Sequence, residues 1–328
     1  DDSTESSQVA VPTNINAVAP TISSQPVSAL RTSGQSVTMT VAASASDGGT
    51  VTYAWKKAGV AISGEVNSTL AISSVATSDA ASYTVVVTNT LSNGVATSTT
   101  SSAATLTVAG ALSIATPTTG LSGTAHSAFS LAVGGSGGRA SLSYALTGTL
   151  VAGLSMSTST GLISGTPSAT GSSTVSVSVT DANGATAATS NFTISVGYAS
   201  TTVSLALASA SPQYRLTNRI TATTSRAGTV NFMLGGTSIV GCEAVAAAAT
   251  TATCDWVPVD LGLAALSAEF TPTTSTYSNS TTSHSPTVLA RAITVTPTAG
   301  QSKVFGGTDS VIAYSIASGS MYGSETLT

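Results

Sequence analysis

The sequence predicts an all-β protein built of several sandwiches in series, and three observations carry that prediction. Only 7% of its 328 residues are charged and 5% aromatic, while 41% are hydrophobic. Ordinary globular chains carry about 25% charge, so the cores here are assembled from Val, Ile, Leu and Ala. Val and Thr recur throughout, and these suit a pleated, half-buried surface. Finally, apolar residues alternate with small polar ones at a period of two. The stretch Ser68 to Val87, STLAISSVATSDAASYTVVV, shows it best. Leu70 and Ile72 share one strand face, a short corner runs through Thr77 and Ser78 to Asp79, and Ala81, Tyr83, Val85 and Val87 share the next face. The nearest approach to an amphipathic helix, Leu261 to Phe270, is short and flanked by strand-like sequence.

Charge and hydropathy exclude some function classes. The net charge of −4 comes from 13 acids and 9 bases, spread without runs, so there is no basic face for a nucleic acid. No apolar stretch reaches the ~18 residues of a membrane-spanning helix. The chain opens on Asp1, which leads to the expectation of a removed leader or of numbering that starts inside a larger protein. Residues 1–19 read as a polar arm, DDSTESS first, followed by Val9, Val11, Ile15 and Val18. Those four give the arm enough apolar character to be a candidate donor strand.

Residues 20–109 form the first predicted unit. Pro20 to Gln25 reads as a strand, then Val37, Met39 and Val41 point inward from a second. A turn at Asp47-Gly48-Gly49 leads into Val51, Tyr53 and Trp55, and Asn93-Gly94 marks a hairpin before Ala104 to Val108. The corner at Asp79, with Tyr83 two residues before a core position, resembles the E–F corner of an immunoglobulin domain, where the Tyr hydroxyl bonds back to backbone. The set resembles the intermediate-type immunoglobulin domains of bacterial surface proteins. The resemblance puts Trp55 at the central indole position and Val41 and Val85 at the two inter-sheet cysteine positions. A Val–Val contact replaces that bond, so this unit is expected to fold without oxidation.

Residues 110–197 repeat the spacing in other words: Gly153-Leu-Ser-Met, then Thr160-Gly-Leu-Ile-Ser-Gly-Thr-Pro167, Gly171, alternating Val175, Val177 and Val179, and Asp181-Ala-Asn-Gly184. This resembles the cadherin-like immunoglobulin modules of bacterial surface proteins. Residues 198–291 contain Gly228-Thr-Val-Asn-Phe232, Gly235-Gly236, Cys242 and Cys254, and are similar to a bacterial immunoglobulin-like repeat, one branch of which carries such a cysteine pair. Residues 292–328, with Ser302-Lys-Val-Phe-Gly306 and Ala313-Tyr-Ser-Ile316, resemble the opening half of a further all-β adhesin module. Two or three strands cannot bury a face alone, so this piece is expected to belong to a longer protein or to find its missing strands elsewhere. The linkers at Ala109-Gly110, Gly197-Tyr198 and Arg291-Ala292 are short, which favours a semi-rigid linear array.

Several constellations could carry chemistry. Cys242 and Cys254 are the only two cysteines. His126 and His284 lie in other contexts and no second cysteine pair exists, so a metal site lacks ligands. The CxxC redox spacing is absent too. The reading is a structural disulfide and an oxidising, extracytoplasmic compartment. Gly134-Gly-Ser-Gly-Gly138 matches GxSxG, but that elbow needs a strand-to-helix turn near a His, and both flanks here read as antiparallel strands. Asp181 and Asn183 could offer oxygens to calcium, which wants six to eight; a hairpin turn is preferred. Lys56 and Lys57 could join an isopeptide bond, against the preferred reading of solvated lysines. Trp256 is expected to pack on the disulfide rather than stack on a sugar.

The sequence therefore predicts a non-catalytic extracellular structural or adhesion protein of a bacterial surface or matrix, with no cofactor and no metal. Its expected partners are other copies of itself or neighbouring domains of a longer chain, with a surface ligand or glycan as a further candidate. Self-assembly through the arm or the last half-module is the main alternative.

Overall fold

The computed structural model describes residues 16–308, 311, 313–319 and 321, and these are strands and turns with one short 3-10 helix, Thr77–Asp79. The arm positions Val9, Val11 and Ile15 lie outside the described residues. Chain proximity groups the protein into two compact units. The first comprises Asp1–Gly123, Ala128–Thr166 and Ser172–Ser195, and the second Thr124–Ser127, Pro167–Gly171 and Val196–Thr328.

The first unit holds two apolar cores. Around the first, Ala81–Thr90 lies between Thr50–Lys57 and Ala104–Ala109, with Ala96–Thr100 also paired to it. Ala29–Thr32 adds in parallel to Ala104–Ala109 and ends that sheet. The facing layer pairs Val37–Thr40 with Thr69–Ile72, and Thr21–Ser24 with Ala42–Ser44. Alternation decides which side chains meet: Val37, Met39, Val41, Trp55, Leu70, Tyr83, Val85 and Val87 are all buried in one cluster. Trp55 is fully buried, opposite Val85 in the ladder, and its indole N–H donates to the Asn67 carbonyl at 2.9 Å.

The second core is organised by Gly171–Thr180, which pairs with Ser143–Thr147 on one side and with Thr186–Ala188 beyond the turn at 181–185. Val175, Val177 and Val179 point from it onto Phe129, Leu131, Ile163 and Ile194. Gly134 to Gly138 is a turn region, and Ser136 sits in a short antiparallel pair with Ser113–Ile114, its hydroxyl 2.9 Å from that of Ser113.

In the second unit, Val203–Leu207, Asn218–Thr224 and Thr251–Trp256 form one sheet. Gly228–Leu234, Leu266–Pro272 and Ser280–His284 form the other, edged by Thr237–Ser238 and Val245–Ala247. Ile220, Val230, Phe232, Trp256, Leu266 and Phe270 fill the space between them together with the Cys242–Cys254 disulfide. The segment Leu261 to Phe270 contributes strands Gly262–Leu263 and Leu266–Pro272. Beyond it, Thr294–Pro297 pairs with Tyr314–Ser318, while Val304 and Phe305 are exposed in a turn region.

The disulfide closes a 12-residue separation. Restricting so short a loop in the unfolded chain stabilises by about 3 kcal/mol in the entropy model. Reduction is therefore expected to lower the urea midpoint of the third sandwich, seen as a shift of one of the two tryptophan-fluorescence transitions, with that of the first sandwich unmoved.

Candidate functional site

Three groups of side chains bear on function: the Asp79 corner, the anchor of the arm, and the Asp181 turn. At the corner, the Tyr83 hydroxyl donates to the Asp79 carbonyl at 2.9 Å. The Asp79 carboxylate accepts from the Ala76 N–H at 3.0 Å and from Lys57 Nζ at 2.8 Å. The Ala76 N–H, seconded by Lys57, holds the Asp79 carboxyl below its ordinary range, and Asp79 in turn raises Lys57. Burial pushes the Tyr83 phenol up. The expectation of a freely solvated Lys57 is thus corrected: its ammonium is tied to the corner. Such half-exposed pairs contribute little, so the corner is a structural clasp held mainly by the burial of Tyr83.

Of the four apolar arm positions, Val18 is described, and it belongs to its own sandwich. Its N–H donates to Asp47 at 2.6 Å and its carbonyl accepts from Asn89 at 2.9 Å. Asn89 is fully buried and also donates to the Asp47 carboxylate. The Val18 N–H is the main reason the Asp47 carboxyl sits below its ordinary range, against a smaller opposing effect of burial. The root of the arm is fixed here.

The Asp181 turn joins the two cores of the first unit. Asp181 is 5% exposed. Within its own hairpin, Oδ1 accepts from the N–H groups of Asn183 and Ala185, both at 2.9 Å. Oδ2 accepts from the Arg139 N–H at 2.8 Å and from the hydroxyl of Thr32, which comes from the first sandwich and is fully buried. Thr32 Oγ1 accepts in turn from Asn183 Nδ2 at 3.1 Å, and Gln35 donates to the Asn183 carbonyl at 3.0 Å. Gln35 also accepts the Thr32 N–H at 2.8 Å. Burial alone would raise the Asp181 carboxyl, but the Thr32 hydroxyl and three N–H groups outweigh it, and the net shift is downward. With four donors on its two oxygens, this carboxylate is a hub for hydrogen bonds, which is the chemistry of a clamp.

The linker between the two cores is drawn into the same arrangement. Gly138 donates to the Gly110 carbonyl at 2.9 Å. Gly137 lies at φ 73°, where a Cβ would collide with the Ala111 carbonyl, so only glycine lets the loop approach this closely. The GxSxG-like run therefore serves the linker. Beside the clamp runs a groove of about 520 Å³ that includes Val27, Leu30, Arg31, Arg139 and Asn183 in its walls.

Sequence reasoning placed a turn at Asp181 but missed Thr32, Gln35 and Arg139. Thr32 lies 149 residues away from Asp181, and nothing local in the chain joins them. In the second unit, His126 stacks on Tyr277 with centroids 4.7 Å apart and bonds Thr276 at 2.7 Å. Among the described residues, no three His, Cys, Asp or Glu side chains gather as a metal-binding group, and no helix is long and apolar enough to cross a membrane.

Two family models agree with the fold of the first two sandwiches. A family described as "Immunoglobulin domain" matches residues 19–89, and one described as "Putative Ig domain" matches residues 111–197. No curated protein matches the chain. Among solved structures, the I-band fragment I67–I69 of titin is 12% identical, with 83% of this chain and 99% of that chain covered and a TM-score of 0.40. The ICAM-5 D1–D4 ectodomain fragment is 13% identical, covering 82% and 76% respectively, with a TM-score of 0.43. Drosophila OTK, extracellular domains 3–5, is 12% identical over 82% and 97%, with a TM-score of 0.25. The chain is an all-β protein of immunoglobulin-like sandwiches in tandem.

Proposed function

We propose that this protein is a non-catalytic, extracellular structural or adhesion protein, acting as a stalk or fibre component of a bacterial cell surface or matrix. The observation that carries this reading is the Asp181 clamp. A loose linker would let successive sandwiches swing, whereas a buried carboxylate bonded across the junction fixes the spacing between two cores. A spacer needs that property. The Cys242–Cys254 disulfide supports an oxidising compartment. The small charged fraction leaves little repulsion between neighbouring copies.

Electron paramagnetic resonance distance measurement tests the spacer mechanism. With spin labels on cysteines introduced at the exposed positions Thr52 and Thr186, the distance distribution should be narrow. A broad distribution, typical of a flexible linker, would contradict the reading.

Self-assembly by strand exchange draws no support from Ala29–Thr32, the last strand of its sheet: the outward Thr32 N–H and carbonyl bond Gln35, and the Leu30 carbonyl accepts from Arg31. A glycan-binding role draws no support from Trp55 or Trp256, since both indoles are buried and present no stacking platform.

A further inference from the structure

We infer that the groove beside the Asp181 turn is a binding site for an acidic saccharide, a sugar chain bearing carboxylates, held by Arg31 of the first sandwich and Arg139 of the second. This rests on the adhesion reading above and names a ligand class for it.

The wall of the groove offers free donors, and the acceptors beside them are engaged. Arg31 is held in place by two bonds, from Nε to the Ser36 carbonyl and from Nη1 to the Leu30 carbonyl, both at 2.8 Å. Its Nη2 has no partner among the described residues. Arg139 donates from Nη1 to Asn183 Oδ1 at 3.2 Å, which leaves its Nε and Nη2 in the same condition. The hydroxyls of Ser28 and Thr38 line the same groove and donate to no described residue. On the other side of the ledger, the Asn183 and Thr32 carbonyls both accept from Gln35. The protein has only nine Lys and Arg in all, yet two of them share this groove, with no Asp or Glu in its wall. Neither guanidinium contacts a carboxylate among the described residues. Asp181 is buried and takes its four bonds from one hydroxyl and three backbone N–H groups.

Such a wall fits a ligand rich in acceptors and negative charge. Guanidinium groups bind carboxylates through charge-assisted N–H bonds, and Ser and Thr hydroxyls can donate to sugar oxygens. Val27 is 77% and Leu30 43% exposed, which gives aliphatic surface for the C–H face of a sugar ring. At about 520 Å³ the groove has room for more than a single inorganic anion. An extended peptide is a poorer fit, because peptides of that kind bind by pairing with a free strand edge. Here the Thr32 N–H and carbonyl are bonded to Gln35 and the Leu30 carbonyl to Arg31. With a net charge of −4, the rest of the surface repels an anion, so the groove is where one would be held. Because the two arginines come from different sandwiches, a sugar chain held by both would tie the first two cores together beside the clamp.

Isothermal titration calorimetry of the full chain with a short galacturonic acid oligomer tests this. Binding that weakens with added salt is expected. The fully methyl-esterified oligomer, which keeps the rings and loses the charges, should not bind. Arg31→Gln and Arg139→Gln should each weaken binding of the acid about fivefold. Arg31→Lys, which keeps the charge without the planar fork, should recover only part of that loss. Lys56→Gln makes the same charge change outside the groove wall and should leave affinity unchanged. Far-UV circular dichroism checks that each variant is folded, and the comparison of acid with ester needs only the wild-type chain. Failure of the acid oligomer to bind would overturn the inference, as would equal affinity for the ester or an equal loss in Lys56→Gln. Polyglutamate binding as tightly as the oligomer would assign the groove to acidic peptides instead. Inorganic sulfate competing at the oligomer's own concentration would reduce it to a simple anion site, and either result rejects the saccharide. The spin-label distance is measured on the free chain, so the spacer reading stands or falls separately.

Discussion

Replacing Trp55 by alanine is expected to unfold the first sandwich at room temperature or bring it close to unfolding. The indole is fully buried, stands opposite Val85 in the ladder, and has its N–H satisfied by the Asn67 carbonyl. Truncating a buried Trp typically costs about 3–5 kcal/mol through lost transfer free energy and an unfilled cavity. A sandwich of this size is stable by only about 5–13 kcal/mol at 0.05–0.15 kcal/mol per residue, so most of its margin disappears. With one other tryptophan in the chain, Trp256, fluorescence of the variant reports the third sandwich alone. Urea titration should show the Trp256 transition unmoved while circular dichroism gains an early transition. A single shifted transition in both signals would mean that the sandwiches do not fold as separate bodies.

The second large effect is expected at Asp181. Alanine there leaves the Thr32 hydroxyl and the N–H groups of Arg139, Asn183 and Ala185 without their acceptor. Stranding donors of a buried network costs about 3 kcal/mol or more. Asparagine fills the same volume but replaces one acceptor oxygen by a donor, so it should rescue only part of the loss. The wild-type carboxyl titrates below its ordinary value, and so do Asp79 and Asp47. For a depressed carboxylate, the unfolded state takes up protons first as pH falls. Its stabilisation is complete above the unfolded pKa of about 3.9 and is lost as pH drops through the lower folded values. Wild-type stability should therefore fall steeply below about pH 4. Asp181→Ala should show a shallower acid dependence, read from thermal midpoints between neutral and acidic pH.

The fold was legible because alternation is a local signal. Val175, Val177 and Val179 announce their shared face through spacing alone, and Tyr83 with Asp79 announces a corner within five residues. The cysteine pair was equally local, at a separation of 12. What the sequence withheld were contacts between distant segments. Thr32 is one threonine among many, and nothing around it marks it as the partner of Asp181. Lys57 read as a solvated residue because its partner, Asp79, lies across a corner rather than nearby in the chain. The groove was hidden for the same reason: Arg31 and Arg139 are isolated charges in sequence, and only the turn at Asp181 brings them to one surface. Burial patterns are written in neighbours, whereas junctions depend on how two finished cores meet.

Single-molecule stretching of the chain from its two ends measures the central claim most directly. If each apolar core is a separate mechanical body, the force trace should contain three major unfolding events. The events from the first two cores should each release about 300 Å of chain, the length of some 90 extended residues. The third should lengthen when the Cys242–Cys254 bond is reduced, because the loop it encloses is then freed. One merged event, or two events in which the first and third cores yield together, would contradict the account.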